Sequence, residues 1–260
     1  MINTLISTTM KIPDKIKSCL ELGQSQLQHV QAAIEQFAPW INTTLPLFPE
    51  YTDHGPRHVE DVLNSAVGLI SETAWKKLSS ADAMVLTLSV LLHDCAMHLT
   101  EDGFVSLVNP ESIWKPLDGF DDKPWNQLWS EFFMEAHRFD ARTLNRLFGN
   151  SDPVRDPPMV PQEMTQKDRM LIGEFIRRHH PRLAHEIALY GFPGPDGTSV
   201  PILNNVKEEW RDLVGFTARS HGFSLRHGFG YLHDKFHLQD FVTIQHPTLK
   251  KSLTQFFMIF

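Results

Sequence analysis

The chain has 260 residues, 42% of them apolar, enough to bury a sizeable core as one large or two small domains. A net charge of −7 argues against broad binding to nucleic-acid backbones, although a local basic groove would survive it. No run of 18 apolar residues occurs, and residues 1–12 lack the basic region and long apolar stretch of a secretion signal, so neither a membrane span nor export is expected. Cys19 and Cys95, the two cysteines, lie in helix-like segments and fit a reducing cytoplasm.

Residues 13–39 carry Ile16, Leu20, Leu27, Val30, Ala33, Ile34 and Phe37 at near-helical spacing, which predicts one long amphipathic helix, used for packing or for dimer formation. After a loop over 40–55, Pro56 suits the first position of a helix, with Asp53, His54 or Gly55 as its cap. His58 falls in the first turn, and Val62, Ala66 and Leu69 continue its face and turn it inward. A short turn follows Leu78, with Ser80 and Asp82 placed to cap the next helix. From Ala83 to Leu92 that helix has only Thr87 and Ser89 as polar side chains, and a helix apolar all round is a buried one. It ends on His93-Asp94.

Beyond His98 the pattern loosens. Asp102–Val108 reads as a short helix, and 109–124 as a loop with Trp114 and an acidic stretch, a surface insertion or a lid. Pro124–Phe148 reads as one helix with Trp125, Leu128, Trp129, Phe132, Phe133, Ala136, Phe139 and Leu144 inward and His137 structural. Four prolines make 151–161 a connector. Thr165–Tyr190 is helical with a break expected at Pro181, where His179 and His180 sit. Pro195-Asp196-Gly197 signals a turn, consistent with a small hairpin within 191–201. Asn205–His221 is another amphipathic helix. Residues 222–245, including His233-Asp234, read as loop, and Pro247 begins a last helix.

A carboxylate buried without a partner costs several kcal/mol. Adjacent helix residues point about 100° apart, so His93 and Asp94 are poorly placed to satisfy each other alone. A cation between them, completed by an inward His58 from the preceding helix, satisfies both and gives a three-ligand nitrogen/oxygen site. The alternative is that each bonds separately to backbone or to another side chain. No P-loop, Gly-x-Ser-x-Gly elbow or CxxC pair supports another catalytic class.

His58 followed by Val62, then Leu91-Leu92-His93-Asp94, resembles the HD superfamily of metal-dependent phosphohydrolases. Phe175-Ile176-Arg177-Arg178-His179-His180 is similar to an Arg-x-x-His segment of some branches, and Ala218-Arg219-Ser220-His221-Gly222 to a later Ser-His-Gly segment. Tyr51-Thr52-Asp53-His54-Gly55 resembles HD domains attached to GHKL-type ATPase modules in larger bacterial proteins, some assigned to conflict or antiphage defence. The resemblance spans residues 45–260, leaving 1–44 as an N-terminal helical extension. It implies an all-α HD-domain helical bundle with long loop insertions and one small hairpin.

It also implies one or two divalent ions, with Mn, Fe, Co, Ni or Zn suited to the mixed donor set and Mg less so. His58, His93 and Asp94 are the expected metal ligands. His180 and His221 are candidates for a second ion or for catalysis, and His54, His179 and His185 are additional candidates. Arg57, Arg177 and Arg178 match phosphate oxygens as guanidinium forks, or are ordinary surface arginines. The expected activity is hydrolysis of a phosphomonoester or phosphodiester in a nucleotide or nucleic acid. The alternative is a non-catalytic module that senses a nucleotide or controls an attached C-terminal ATPase domain. HD domains usually add a late Asp to the metal shell. Asp212, Asp234 and Asp240 are available, yet none sits in an apolar helix pattern, and the helix opening at Pro247 stops at Phe260. The expectation is a form truncated at its C-terminal end, with an incomplete shell.

Overall fold

The apolar run before His93 folds as a buried 13-residue helix, Ser80–Leu92, in the computed structural model of the chain, which describes residues 10–41, 45–48 and 54–236. In chain order the described helices are α1 (Asp14–Glu21), α2 (Gln26–Phe37), α3 (Pro56–Leu69), α4 (Glu72–Trp75), α5 (Ser80–Leu92), α6 (Glu101–Val108), α7 (Trp125–Ala136), α8 (Ala141–Phe148), α9 (Gln166–Tyr190), α10 (Glu208–Arg219) and α11 (Leu225–Phe236). Short strands β1 (Phe192–Pro193) and β2 (Ser199–Val200) pair antiparallel, Phe192 opposite Val200, as the turn signal there predicts. The architecture is the all-α bundle with one small hairpin that the sequence implies.

α5 is the axis. Its N-cap is Ser79 rather than Ser80: the Ser79 hydroxyl accepts from the Asp82 N–H at 3.2 Å, and the Asp82 carboxylate accepts from the Ser79 N–H at 2.8 Å. Such a reciprocal cap contributes about 1 kcal/mol. Every residue from Asp82 to Leu92 is buried. Thr87 donates to the Ala83 carbonyl at 2.7 Å and Ser89 to the Val214 carbonyl at 3.1 Å, so the polar side chains of the run are satisfied. The stretch Ser80–His98 is apolar and long enough to cross a membrane by length and composition, yet 78% of it is buried inside the protein. Helices α1, α2, α3, α9 and α10 pack around it.

Several elements differ from their sequence patterns. The expected 13–39 helix is two helices, α1 and α2, broken at Leu22–Ser25, where Leu22 is exposed and Gly23 lies against Ser80 at the start of α5. The expected 124–148 helix is also two, because Asp140 caps a new one, its carboxylate accepting from the Thr143 N–H at 2.7 Å. On α3 the buried face is Val59, Leu63 and Ala66, while Leu69 is 68% exposed; His58 lies on the flank of that face. Residues 225–236, expected as loop, form α11, and His233 and Asp234 are exposed on it. Finally, α9 runs unbroken through Pro181 for 25 residues. Asp240 and the helix expected from Pro247 lie outside the described residues.

Candidate metal centre

Regular helix ends at Leu92, before the His-Asp pair. His93 keeps helical angles, but Asp94 turns to φ −110°, ψ 10° and opens a short 3-10 segment, Cys95–His98. This change of backbone brings Asp94 Oδ2 to 2.9 Å from His93 Nε2. The two side chains meet directly, which ideal helical spacing would forbid.

From α3, His58 completes a triangle: its Nε2 lies 3.4 Å from His93 Nε2 and 3.4 Å from Asp94 Oδ2. The other carboxylate oxygen serves a second group. Asp94 Oδ1 is 3.5 Å from His180 Nε2 on α9, and His180 Nε2 is 2.9 Å from His221 Nε2, just beyond α10. Thus Asp94 joins two sets, His58-His93-Asp94 and Asp94-His180-His221, each spaced to hold an ion. Donors bonded at about 2.1 Å to one tetrahedral or octahedral metal stand roughly 3.0–3.4 Å apart, close to these separations. His54 lies farther out, its Nε2 3.9 Å from Asp94 Oδ2 and its ring 5.0 Å from that of His58.

Three of the imidazoles are held the same way. Nδ1 of His93, His180 and His221 each lies 2.7 Å from the carbonyl three residues back, those of Val90, Arg177 and Ala218. A carbonyl only accepts, so each Nδ1 carries a proton; Nε2 of His180 and His221 then presents a lone pair, while Nε2 of His93 faces Asp94 Oδ2 and holds a second proton unless an ion takes its place. Pro181 explains one of these bonds. It has no N–H for the Arg177 carbonyl four residues earlier, and the His180 ring takes the vacated place. His180 and His221 therefore set lone pair against lone pair at 2.9 Å. That contact is repulsive unless a proton or a metal ion lies between, and the donor set fits a metal ion.

The electrostatics agree. Burial alone would raise the Asp94 pKa, but hydrogen bonds from His58 and His93 and the charge of His93 and His180 hold it far below the usual carboxylate range. Burial would lower His93, but its bond to Asp94 outweighs this and raises it. Burial lowers His180, and burial together with the neighbouring His180 pushes His221 down to about 4, so both rings favour the neutral form that could accept an ion. Pro181→Ala returns a backbone donor to the Arg177 carbonyl and frees the His180 ring. The expected result is a roughly tenfold loss of metal affinity, typical of removing an outer contact, with no loss of thermal stability; metal titration and a melting curve on the same variant check it.

The remaining candidates are placed as follows. His179 turns from the cluster to pack on Phe175 and Trp125, with ring centroids 4.9 and 6.1 Å away. Burial and then the nearby Arg182, Arg178 and Arg219 lower its pKa to about 4. The structure does not bring His185 to the cluster: fully buried, it uses Nε2 on Asp212 Oδ1 at 2.7 Å, and that same oxygen accepts from the Tyr231 hydroxyl at 2.9 Å. Asp212 is thereby committed elsewhere, and Asp234 bonds to His233 on the surface at 3.0 Å. Arg57 is exposed in the first turn of α3. Arg177 forks onto Glu174 at 2.7 and 2.8 Å, while Arg178 contacts Glu174 and Glu135 at 3.1 and 2.9 Å. His98 is a supporting residue that spacing alone does not reveal: buried, it holds the His54 carbonyl at 3.1 Å and fixes the entry to α3. Its signal was present only as one more His in a 3-10 turn.

A family model described as HD-CE matches residues 48–248. No curated protein matches the chain, and no solved structure does.

Proposed function

Since the chain belongs to the HD-CE family, we propose that it is a metal-dependent phosphohydrolase acting on a nucleotide or nucleic acid. His58, His93 and Asp94 would hold one divalent ion, and Asp94, His180 and His221 a second. The observation that carries this reading is the convergence of the His58, His93 and His180 Nε2 atoms on the two oxygens of one carboxylate, with His221 Nε2 beside that of His180. An ion held there supplies Lewis acidity toward a phosphoryl oxygen and an activated nucleophile at neutral pH. The protein's own part is orientation. The carbonyls of Val90, Arg177 and Ala218 fix three rings before any ligand arrives. His54, at the outer edge and outside both donor sets, is the group positioned to pass a proton to a leaving oxygen.

The test is elemental analysis of the purified protein, followed by phosphate release from a panel of nucleoside phosphates and a short oligonucleotide, with and without EDTA. Retained Mn, Fe, Co, Ni or Zn and EDTA-sensitive turnover of at least one substrate are expected. Metal retention with no turnover across the panel would count against an enzyme and for a module that regulates an attached ATPase domain.

A further inference from the structure

A cavity of 310 Å³ adjoins the cluster. His179, Pro181 and Gly222, the chain neighbours of His180 and His221, form part of its wall, and Phe120, Asp121 and Lys123 of the 109–124 loop form another part. Arg178, Arg182 and Arg219 line it as well, so cations exceed carboxylates around the space. Two of these guanidiniums are held rigidly against aromatic faces, Arg219 over Phe120 at 3.9 Å and Arg182 over Trp125 at 4.7 Å.

Asp121 occupies the point between them. Its oxygens accept from Arg219 Nη1 and Nη2 at 2.9 and 2.6 Å, and Oδ1 lies 3.5 Å from Arg182 Nε. A carboxylate forked by one guanidinium and faced by a second is the geometry of a bound phosphate. Arg182 is only 7% exposed; its Nε donates to Glu186 and its Nη1 to the Lys123 carbonyl, but Nη2 has no hydrogen-bond partner among the described residues. A buried guanidinium N–H left unpaired marks a donor still awaiting an acceptor.

We propose that this cavity is a seat for a second phosphoryl group of the substrate, bound by Arg182 and Arg219 with Arg178 and Lys123 at the rim, and that Asp121 is the resident carboxylate the phosphate displaces. The proposal rests on the hydrolytic reading above and narrows it to a small molecule carrying more than one phosphoryl group. A polymer is disfavoured by the net charge of −7 and by carboxylates paired with the rim cations, Glu131 with Lys123 and Glu135 with Arg178.

The experiment is calorimetric titration of inorganic pyrophosphate in EDTA, so that no ion takes part. Asp121→Asn keeps the shape and one acceptor but removes the competing charge. It should bind pyrophosphate about tenfold more tightly than the parent, a gain that misfolding cannot imitate. The double variant Lys123→Ala/Arg178→Ala, changed only at the rim, should bind several-fold more weakly. Asp94→Ala should bind as the parent does. Equal affinity of Asp121→Asn and the parent, or no binding by either, overturns the seat. Markedly tighter binding by Asp94→Ala overturns it too, because without metal the Asp94 charge would weaken only an anion seated at the histidine cluster. Displacement of pyrophosphate by a single-stranded oligonucleotide at equal phosphate concentration overturns the small-molecule assignment. Because binding is read without metal, a protein that binds pyrophosphate but never hydrolyses a nucleotide would retain the seat and refute the hydrolase.

Discussion

Asp94→Ala is expected to lower metal affinity at both halves of the cluster and to reduce phosphate release by about a thousandfold or more. The size of the effect follows from the position of one carboxylate. Its Oδ2 contacts His58 and His93, and its Oδ1 faces His180, so one truncation removes a ligand from both donor sets. It also removes the one carboxylate from two donor sets whose other members are imidazoles, leaving no anionic ligand to balance a divalent ion. The helices should survive. Asp94 lies after the end of α5, its side chain is 19% exposed, and its contacts are to side chains of the cluster, whereas α5 is held by apolar burial from Ala83 to Leu92. Circular dichroism should therefore match the parent while metal content and turnover collapse. His54→Ala is the informative companion. With Nε2 at 3.9 Å from the carboxylate, His54 is outside bonding range, and its loss should cost about tenfold or less in turnover. Retention of full activity by Asp94→Ala would refute the assignment; an effect of His54→Ala as large as that of Asp94→Ala would make His54 a ligand.

How much of this was legible in the sequence differs from residue to residue. The apolar run 83–92 and the His-Asp pair after it were visible because burial all round a helix leaves an unmistakable composition. The hairpin was visible because Pro195-Asp196-Gly197 has turn chemistry of its own, down to the positive φ of Asp196 and Gly197. The direct contact of His93 with Asp94 was not legible, because it depends on the backbone leaving the helix at Asp94, and no residue type there announces it. Pro181 was misleading for a physical reason. Proline breaks a helix partly by stranding a carbonyl, and here a histidine ring satisfies that carbonyl, so the helix continues. His185 resembled its neighbours on the same helix, but its partner Asp212 lies on α10 and could be assigned only once the two helices were seen to pack. The acidic stretch of the 109–124 loop gave a charge pattern without a destination; the destination of Asp121 is Arg219, nearly a hundred residues away.

Glu186→Ala should destabilise the protein by about 3 kcal/mol at pH 8, measured by chemical denaturation, because it breaks a buried charge pair and leaves the other member behind. Glu186 is completely buried, accepting from Trp125 Nε1 at 2.5 Å and from Arg182 Nε at 2.8 Å. Removing it strands an indole N–H and a guanidinium; Asp121, 3.5 Å from Arg182, softens the second loss and keeps the effect at the lower end of the range for broken buried pairs. The same residue gives a signed pH effect. Burial outweighs the attraction of Arg182 and lifts the Glu186 carboxyl from 4.5 to about 7. The folded state thus holds this proton more tightly than the unfolded chain does. Its contribution is fully present below about pH 4.5 and is lost as pH rises through 7, a change of order 3 kcal/mol. Glu186→Gln carries no titrating group and forfeits one acceptor. It should be less stable than the parent by a margin that shrinks as the pH is raised from 5 to 8. A margin that stays constant over that interval would mean that Glu186 is already ionised throughout it and that the Arg182 charge, not burial, controls the carboxyl.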